Sequence, residues 1–495
     1  MAQFNILYLS SEVFPFAKVG GLADVAGALP KALKDREHDV RVLMPKYKKI
    51  RDRKYNLREV IRLREIHVPL GDQTITVSVK SGFLPDSKVQ AYFLEYKPLF
   101  DRADVYVDPK TKEGWEDNHL RFALFARTAF EMLKVLFWQP DLIHVNDWTS
   151  SLVPFYLKTV YKDDEFFQNT RTLLTIHNLA YQGVFSAETA QQIGADIIPF
   201  DETHPAWDNG NFNYLKAGLA TADLISTVSP TYAREILTPE FGSGLDGLLQ
   251  TRKDVLHGVL NGIDVDEWNP EVDKHIAKNY TIEELDNKAA NRAALLEEMD
   301  IEADDDTMVI GLISRLATQK GFDLLEEAAE KLMEMPIVLV ILGTGQSDVE
   351  EMVKGLVEKY PGRVVAKIDF SDELAHKIEA GADAFLMPSH YEPCGLNQMY
   401  SMAYGTPPIV HAVGGLVDTV ENARPKKKTG TGFVFDSYSA DKLVDAVKRA
   451  VEAFKDKEAW TAIMRNGMQR DFSWNASAEA LEDVYKLSMG EAVTG

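Results

Sequence analysis

The stretch KVGGLADV at residues 18–25 joins a buried-strand pattern to a helical pattern through two glycines. Without a Cβ, Gly20 and Gly21 permit a close approach to the backbone. Free N–H groups at the start of a helix attract anions such as phosphates. Lys18 adds a positive charge, and Asp24 could accept hydrogen bonds from a polyol. The stretch therefore predicts a diphosphate-type site, although two glycines can also simply form a tight turn.

A second loop carries two cations after another buried-strand pattern. Arg315 and Lys320 are five residues apart in SRLATQKGFD (314–323), so both side chains could reach one pair of phosphates. Arginine would bind in a bidentate manner and lysine as a point charge. Taken alone, the two cations are more typical of a solvated loop.

A third loop, EPCGLN, leaves a strand pattern and enters a helix at residues 392–397. Glu392 is placed to fix a hydroxyl-rich group, and Cys394 is interpreted as a packed thiol rather than a nucleophile. Helix-start amides could bind an anion at three positions, Gly395, Leu396 and Asn397. A further glycine pair precedes a helix at 414–415. Together, these glycine-bearing helix starts and the cations favour a diphosphate-containing ligand such as a nucleotide-sugar.

Strand and helix patterns alternate along the whole sequence, which is typical of parallel sheets covered by helices. The predicted strands are 4–10, 39–45, 74–80, 89–96, 141–146, 172–177, 223–229, 307–314, 337–343, 364–370, 384–389 and 408–413. The predicted fold class is α/β, with two doubly wound Rossmann-like domains facing across a cleft. Ligands of such sheets bind at the carboxyl ends of the strands.

The predicted domain boundaries follow from the restart of this plan in the second half. An N-terminal domain is predicted over 1–258 and a C-terminal, donor-side domain over 259–474. The turn-rich segment 259–280 is interpreted as the junction. The amphipathic segment 475–495 is predicted to form a helix that returns to complete the first domain.

Composition excludes several classes of protein. The 495 residues include 54 basic and 76 acidic side chains, a net charge of −22, which would repel a nucleic-acid backbone. No apolar run is long enough to cross a membrane, and no secretory leader is expected at the N-terminus. The single cysteine rules out an internal disulfide and suits a reducing compartment. A cytoplasmic location is therefore expected, or the plastid stroma if a transit peptide has been removed.

No metal or cofactor is predicted. Asp264 and Asp266 match the DxD pattern of many metal sites, but they lie in the turn-rich junction, where this short pattern occurs by chance. His119, His144 and His257 lack metal-ligand spacing.

Six longer motifs resemble the bacterial glycogen synthases and plant-type starch synthases, which are family-5 glycosyltransferases of the GT-B fold. They run in order across nearly the whole sequence, at 18–25, 176–185, 227–236, 261–270, 314–325 and 392–410. The resemblance implies an enzyme that transfers glucose, usually from ADP-glucose, to the non-reducing end of an α-1,4-glucan. It also implies retention of the anomeric configuration without a metal.

The resemblance implies roles for individual residues. The donor-binding set is Lys18, Gly20, Gly21, Asp24, Arg315, Lys320, Phe370, Cys394, Gly395, Leu396 and Asn397. The catalytic set is Glu392 near the donor glucose, His177 near its reactive carbon, Asp147 towards the acceptor, and Arg315 and Lys320 on the departing diphosphate. Phe370 falls where relatives often have a tyrosine against the adenine. The sequence departs from the family at Asn146, where a histidine commonly precedes the Asp-Trp pair.

Several alternatives stay open. The donor could be UDP-glucose, or the protein could be another GT-B enzyme, such as a phosphorylase or a sucrose-type synthase. A non-catalytic glucan-binding scaffold could also keep the fold. The product (glycogen or starch), the chain-length preference, the oligomeric state and the regulation are not indicated.

Overall fold

The computed structural model describes residues 3–490 and divides into two compact units. Unit 1 contains 3–228, Ala233–Leu260 and the segment from Trp474 onward. Unit 2 contains Ser229–Tyr232 and Asn261–Ser473. Each unit has its own parallel sheet with helices packed against it.

The strands of unit 1 form one large sheet and one small antiparallel sheet. Their bounds are β1 Asn5–Leu9, β2 Asp39–Pro45, β3 Arg58–Glu59, β4 Ile66–Leu70, β5 Gln73–Phe83, β6 Gln90–Glu95, β7 Leu142–Asn146, β8 Arg171–Ile176, β9 Val184–Phe185, β10 Trp207–Asp208, β11 Asn211–Asn213, β12 Leu224–Thr227 and β13 Leu256–Gly258. The large sheet has the order β13-β12-β8-β7-β1-β2-β6-β5-β3, with β4 paired to β5. The small sheet has the order β10-β11-β9.

One edge of the large sheet differs from the prediction of purely parallel pairing. Strands from β13 to β6 are parallel, but β5 runs antiparallel to β6, β3 and β4. Only Gly71 and Asp72 separate β4 from β5, and a connection this short can join antiparallel strands only. Gly71 has a φ of +56°, which suits this turn.

The helices before residue 260 connect these strands. They are α1 Gly21–Asp35, α2 Lys97–Phe100, α3 Asn118–Leu136, α4 Asp147–Ser150, α5 Leu152–Lys158, α6 Thr189–Gln192, α7 Tyr214–Thr221, α8 Pro230–Glu235 and α9 Asp246–Thr251. In α1, apolar residues recur at helical spacing, and Leu22, Val25, Leu29 and Leu33 are buried.

Unit 2 contains a second sheet, all of whose strand pairs are parallel. Its strands are β14 Met308–Ile313, β15 Ile337–Leu342, β16 Val364–Lys367, β17 Ala384–Met387, β18 Pro408–His411 and β19 Phe433–Phe435, in the order β16-β15-β14-β17-β18-β19. Helices cover both faces, so the strands are continuous apolar runs such as IVLVIL in β15. The short strand β19 was not predicted.

The remaining helices lie between residues 288 and 488. They are α10 Lys288–Glu298, α11 Phe322–Leu332, α12 Ser347–Lys359, α13 Asp372–Gly381, α14 Asn397–Ala403, α15 Gly414–Thr419, α16 Ala440–Phe454, α17 Lys457–Met468 and α18 Trp474–Ser488. None of the helices in residues 3–490 combines the length and apolarity needed to cross a membrane.

Helix α18 packs within unit 1. Arg36 Nε donates to Glu482 Oε1 at 2.6 Å, and the Tyr485 hydroxyl lies 2.8 Å from His144 Nδ1. The sequence predicts a helix over 475–495, of which residues 491–495 lie outside the described part of the chain.

Each large sheet has a topological switch point, which is the place between two neighbouring strands where the strand order reverses. In unit 1 this point lies between β1 and β7, because β1 is followed by β2 on its other side. In unit 2 it lies between β14 and β17, because β14 is followed by β15 on its other side. Ligands of open α/β sheets bind beyond the carboxyl ends of the strands at such points.

Candidate active site

The glycine loop after β1 is held by a carboxylate from the same unit. The Val19 and Gly20 N–H groups both donate to Glu12 Oε2, the second at 2.9 Å, and the Tyr106 hydroxyl donates to Oε1. Glu12 is buried, and this burial raises the pKa of its carboxyl group. The expectation that the Gly20 N–H is free for a phosphate is therefore wrong for this structure. The loop amides do bind an acidic group, but that group is the Glu12 side chain, which the sequence analysis missed.

Open space remains in front of the same loop. A Cβ at Gly20 or Gly21 would meet no atom of the described residues within 4 Å. Lys18 is exposed, and its Nζ lies 2.7 Å from Asp24 Oδ1. Because this ion pair is exposed, it contributes little to stability, and a ligand can replace it at low cost.

Two predicted site residues follow the neighbouring strands β7 and β8. Asp147 begins α4 and accepts hydrogen bonds from the backbone N–H groups of His177 and Asn178, at 2.7 and 3.4 Å. Burial raises the pKa of Asp147 to about 7, although these hydrogen bonds oppose the shift. Burial also lowers the pKa of His177 to about 3, so its imidazole is neutral at physiological pH.

Asn146, at the end of β7, sets the orientation of the His177 ring. Its Nδ2 donates to the Leu9 carbonyl at 2.8 Å, which leaves Oδ1 as an acceptor. Oδ1 accepts from the Tyr8 hydroxyl at 3.1 Å and lies 2.9 Å from His177 Nε2. His177 Nε2 therefore carries the proton, and Nδ1 carries the lone pair. The departure from the family at Asn146 was the only sequence signal for this role.

In unit 2, Lys320 follows β14 and Glu392 follows β17, and the two side chains meet beyond the carboxyl ends of these strands. Lys320 Nζ lies 2.6 Å from Glu392 Oε2, which also accepts a 3.0 Å hydrogen bond from the Ser389 hydroxyl. The Glu392 side chain is only 7% exposed and that of Lys320 is 18% exposed. Arg315, in the same β14 loop, is exposed and makes no ion pair with residues 3–490.

Glycines make room for this pair. Gly321 has a φ of +79°, and a Cβ there would lie 2.0 Å from the Pro388 carbonyl oxygen. Gly414 has a φ of +48°, and its Cβ would lie 1.9 Å from the Glu392 carbonyl oxygen. The Gly415 N–H donates to that same oxygen at 3.1 Å. The glycine pair at 414–415 thus packs against the Glu392 loop, which explains it without an anion.

The residues after Glu392 anchor the loop to the sheet. Gly395 has a φ of +71°, Leu396 precedes α14, and the Asn397 side chain donates to the Ile313 carbonyl at 2.9 Å. Cys394 is buried, and burial raises the pKa of its thiol to about 12. The thiol therefore stays protonated at physiological pH, which agrees with a packing role.

Phe370 follows β16 and is 77% exposed. A large exposed aromatic ring beside a strand end offers a flat apolar surface on which a base could stack. The carboxyl-end edge of the unit 2 sheet thus combines two cations, a buried carboxylate and an exposed aromatic ring. This combination can bind a nucleoside diphosphate and stabilise the charge that develops when it departs.

Comparison with known proteins finds similarity to glycosyl transferases along most of the chain. The model of the starch synthase catalytic domain matches residues 5–251, and that of group 1 glycosyl transferases matches residues 297–466. The glycogen synthase of Geotalea daltonii is 44% identical over 98% of this chain and 99% of its own. The glycogen synthase of Thermotoga maritima is 43% identical with the same coverage.

Two solved structures share the fold. The catalytic domain of starch synthase IV from Arabidopsis thaliana, bound to ADP and acarbose, superposes with a TM-score of 0.88 at 29% identity, over 99% of this chain and 100% of its own. Sucrose-phosphate synthase from Thermosynechococcus elongatus has a TM-score of 0.59 at 20% identity, over 98% of this chain and 99% of its own, and shows the fold alone.

The fold and the site thus define a glycosyltransferase of the GT-B class. The chain belongs to the family of bacterial glycogen synthases and starch synthases, and it is a glucosyltransferase that elongates glucan from a nucleotide-sugar donor. The predicted fold class and the resemblance are both confirmed.

Proposed function

We propose that this enzyme transfers glucose from ADP-glucose to the non-reducing end of an α-1,4-glucan, with retention of the anomeric configuration. The observation that carries the proposal is the Lys320–Glu392 pair at the switch point of unit 2, next to the exposed Arg315. A buried carboxylate held at a set position by a lysine can fix a sugar hydroxyl. The cations of the same loop can bind the diphosphate.

The diphosphate is the leaving group in this reaction. As the glycosidic C–O bond breaks, negative charge grows on the departing phosphate oxygen while the sugar acquires oxocarbenium character. Arg315 and Lys320 supply fixed positive charges for that oxygen, and each such group is worth about 3–4 kcal/mol in the transition state. In a front-face route, the departing phosphate takes the proton of the attacking glucan hydroxyl. This route therefore requires no protein nucleophile. The protonated Cys394 thiol is consistent with that route.

ADP is proposed as the nucleotide for two reasons. The starch synthase IV relative was solved bound to ADP, and Phe370 offers an exposed ring after β16, where adenine could stack. The remaining donor-side residues are proposed to line the donor site: Lys18 and Asp24 through their charges, Gly20 through the room that its missing Cβ leaves, and the others through their backbone, namely Gly21, Cys394, Gly395, Leu396 and Asn397.

His177 and Asp147 are proposed to act on the sugars. The neutral His177 ring holds its Nε2 proton against Asn146, which leaves Nδ1 as an acceptor for a sugar hydroxyl. Asp147 sits under the backbone of 177–178 and can exchange a proton near neutral pH. These groups can orient hydroxyls of the donor glucose and of the glucan acceptor.

A turnover assay tests the proposal directly. The full-length protein is incubated with maltooligosaccharides and either ADP-glucose or UDP-glucose, while nucleoside diphosphate release and chain length are followed. We expect faster release from ADP-glucose, matched one for one by added glucose units. Release without chain growth would contradict glucan elongation, and equal or faster use of UDP-glucose would contradict the donor assignment. Binding of glucan without any release would instead support a non-catalytic scaffold.

We also propose that the enzyme works in the cytoplasm. The relatives named above include bacterial glycogen synthases, and a nucleotide-sugar donor is made inside the cell. Fractionation of the native cells, with antibody detection of the protein, tests this location. Recovery of the protein outside the cytoplasmic fraction would contradict it.

A further inference from the structure

A histidine and two carboxylates meet in unit 2 at residues that the catalytic proposal does not use. Glu267, Asp372 and His376 each place one potential ligand atom within 4.8 Å of the other two. Glu267 lies in the segment that opens unit 2, while Asp372 and His376 lie one turn apart on α13. Glu267 and Asp372 are exposed, and His376 is only 1% exposed.

Asp273 fixes the protonation of the His376 ring. His376 Nδ1 lies 2.8 Å from Asp273 Oδ2, which also accepts from the Tyr404 hydroxyl at 2.5 Å. A carboxylate oxygen accepts hydrogen bonds, so we assign the donated proton to His376 Nδ1, and in this tautomer the lone pair lies on Nε2.

His376 Nε2 is buried and makes no hydrogen bond with the described residues. Two negatively charged carboxylates cannot satisfy a lone pair, since they have no proton to donate. A cation placed among the three atoms would give His376 Nε2 a partner and offset the negative charge of the two carboxylates. A carboxylate that orients a histidine from behind is the usual arrangement behind a metal-binding imidazole.

Aromatic stacking holds the imidazole in this orientation. The Trp268 ring stacks on His376 with centroids 4.0 Å apart and planes 6° apart, and Tyr400 stacks on the other face of Trp268 at 4.0 Å. Nε2 therefore keeps its direction without a ligand, which lowers the cost of ordering a metal site.

We propose that Glu267, Asp372 and His376 bind one divalent transition-metal ion, with zinc as the preferred occupant. An imidazole nitrogen with two carboxylates suits zinc, cobalt or manganese better than calcium or magnesium, which prefer oxygen ligands alone. The carboxylates must close in to reach bond lengths of about 2.0–2.2 Å, and their exposure permits this. Water would complete the coordination. The ion would fasten the opening segment of unit 2 to α13, and glucosyl transfer itself would not use it.

The test measures zinc binding by the full-length protein after treatment with a chelator. Zinc is titrated against a competing chromophoric chelator, and cobalt is added separately to record its visible absorption bands. The key variants are Asp372→Asn and Glu267→Gln, whose exposed side chains can be replaced without disturbing the core. Glu373→Gln is the matched control, because it removes one charge from the same helix turn outside the cluster.

We expect the wild type and Glu373→Gln to bind one zinc ion per chain with the same affinity. Asp372→Asn and Glu267→Gln should each weaken binding at least about tenfold. Asp273→Asn, which lies outside the cluster and contacts it through His376, should weaken it by about 10- to 100-fold. Zinc should also raise the Tm of the wild type but not of Asp372→Asn. No stoichiometric zinc binding by the wild type, or equal affinity in wild type and Asp372→Asn, would overturn the proposal.

Discussion

Replacing Lys320 with methionine separates the structural role of the Lys320–Glu392 pair from its catalytic role. Methionine keeps most of the apolar stem and removes the charge. Glu392 is then left as a buried carboxylate with the Ser389 hydroxyl, at 3.0 Å, as its remaining hydrogen-bond partner. The variant therefore loses a charge that stabilises the fold and a charge that we assign to the departing diphosphate.

The loss of stability and the loss of rate differ in size, and a second substitution should reverse only the loss of stability. Breaking a buried pair on one side costs roughly 3–5 kcal/mol, and the 18% exposure of the Lys320 side chain places this case near about 3 kcal/mol. Adding Glu392→Gln removes the unpaired charge, so the double variant should recover about 1–3 kcal/mol of that loss. The rate should fall by about 100- to 1000-fold in Lys320→Met, because one fixed charge on the leaving group is missing. The second substitution should not restore the rate.

Urea unfolding gives the stability of the wild type, Lys320→Met and the double variant, and ADP release from ADP-glucose gives their initial rates. Rates are measured well below the unfolding transition, so that every variant is folded in the assay. A normal rate in Lys320→Met would refute the catalytic role. Recovery of both stability and rate in the double variant would show that the pair acts only on the fold.

Three further predictions concern the glycine loops, the Asp147 carboxyl group and the proposed metal ion. In Gly414→Ala, the new Cβ would lie 1.9 Å from the Glu392 carbonyl oxygen, so this variant should lose about 2 kcal/mol of stability and at least tenfold in kcat. Gly20→Ala meets no such contact, so it should keep the stability and raise the KM for the donor. Both are measured by urea unfolding and initial rates, and equal stability losses would contradict the contacts. The folded state holds the proton on Asp147 up to about pH 7, against 3.8 when unfolded, so the free energy of unfolding should fall as the pH rises between these values and then level off. Urea unfolding across this range should show that slope in the wild type and a weaker one in Asp147→Asn; equal slopes would count against it. Chelator treatment should leave the rate of glucosyl transfer unchanged, and a loss that zinc restores would place the metal in the reaction.

The sequence predicts the parallel strands well because helices bury both of their faces. Strands such as β15, IVLVIL, are therefore uninterrupted apolar runs, and β2 occupies the predicted residues 39–45. The antiparallel edge was missed because β4 alternates buried and exposed residues, a weaker signal, and because its direction depends on the short turn at Gly71. The three-residue β19 is too short to stand out from a loop.

The sequence reveals site residues that lie together in one loop. It does not reveal the residues that contact such a loop from a distant part of the chain. The glycine pair of 20–21 is visible in the sequence, but its spacing does not reveal that Glu12 takes the loop amides. Asn146 orients His177 only because β1, β7 and β8 are neighbours in the sheet. Such contacts join residues with no regular spacing, so periodicity and motifs do not reveal them.

The binding of ADP tests the central claim most directly. A crystal structure of the full-length protein with ADP should place the diphosphate within about 3 Å of the Arg315 and Lys320 nitrogens, with the adenine against Phe370. ADP bound to the protein without contact to either cation would contradict the account.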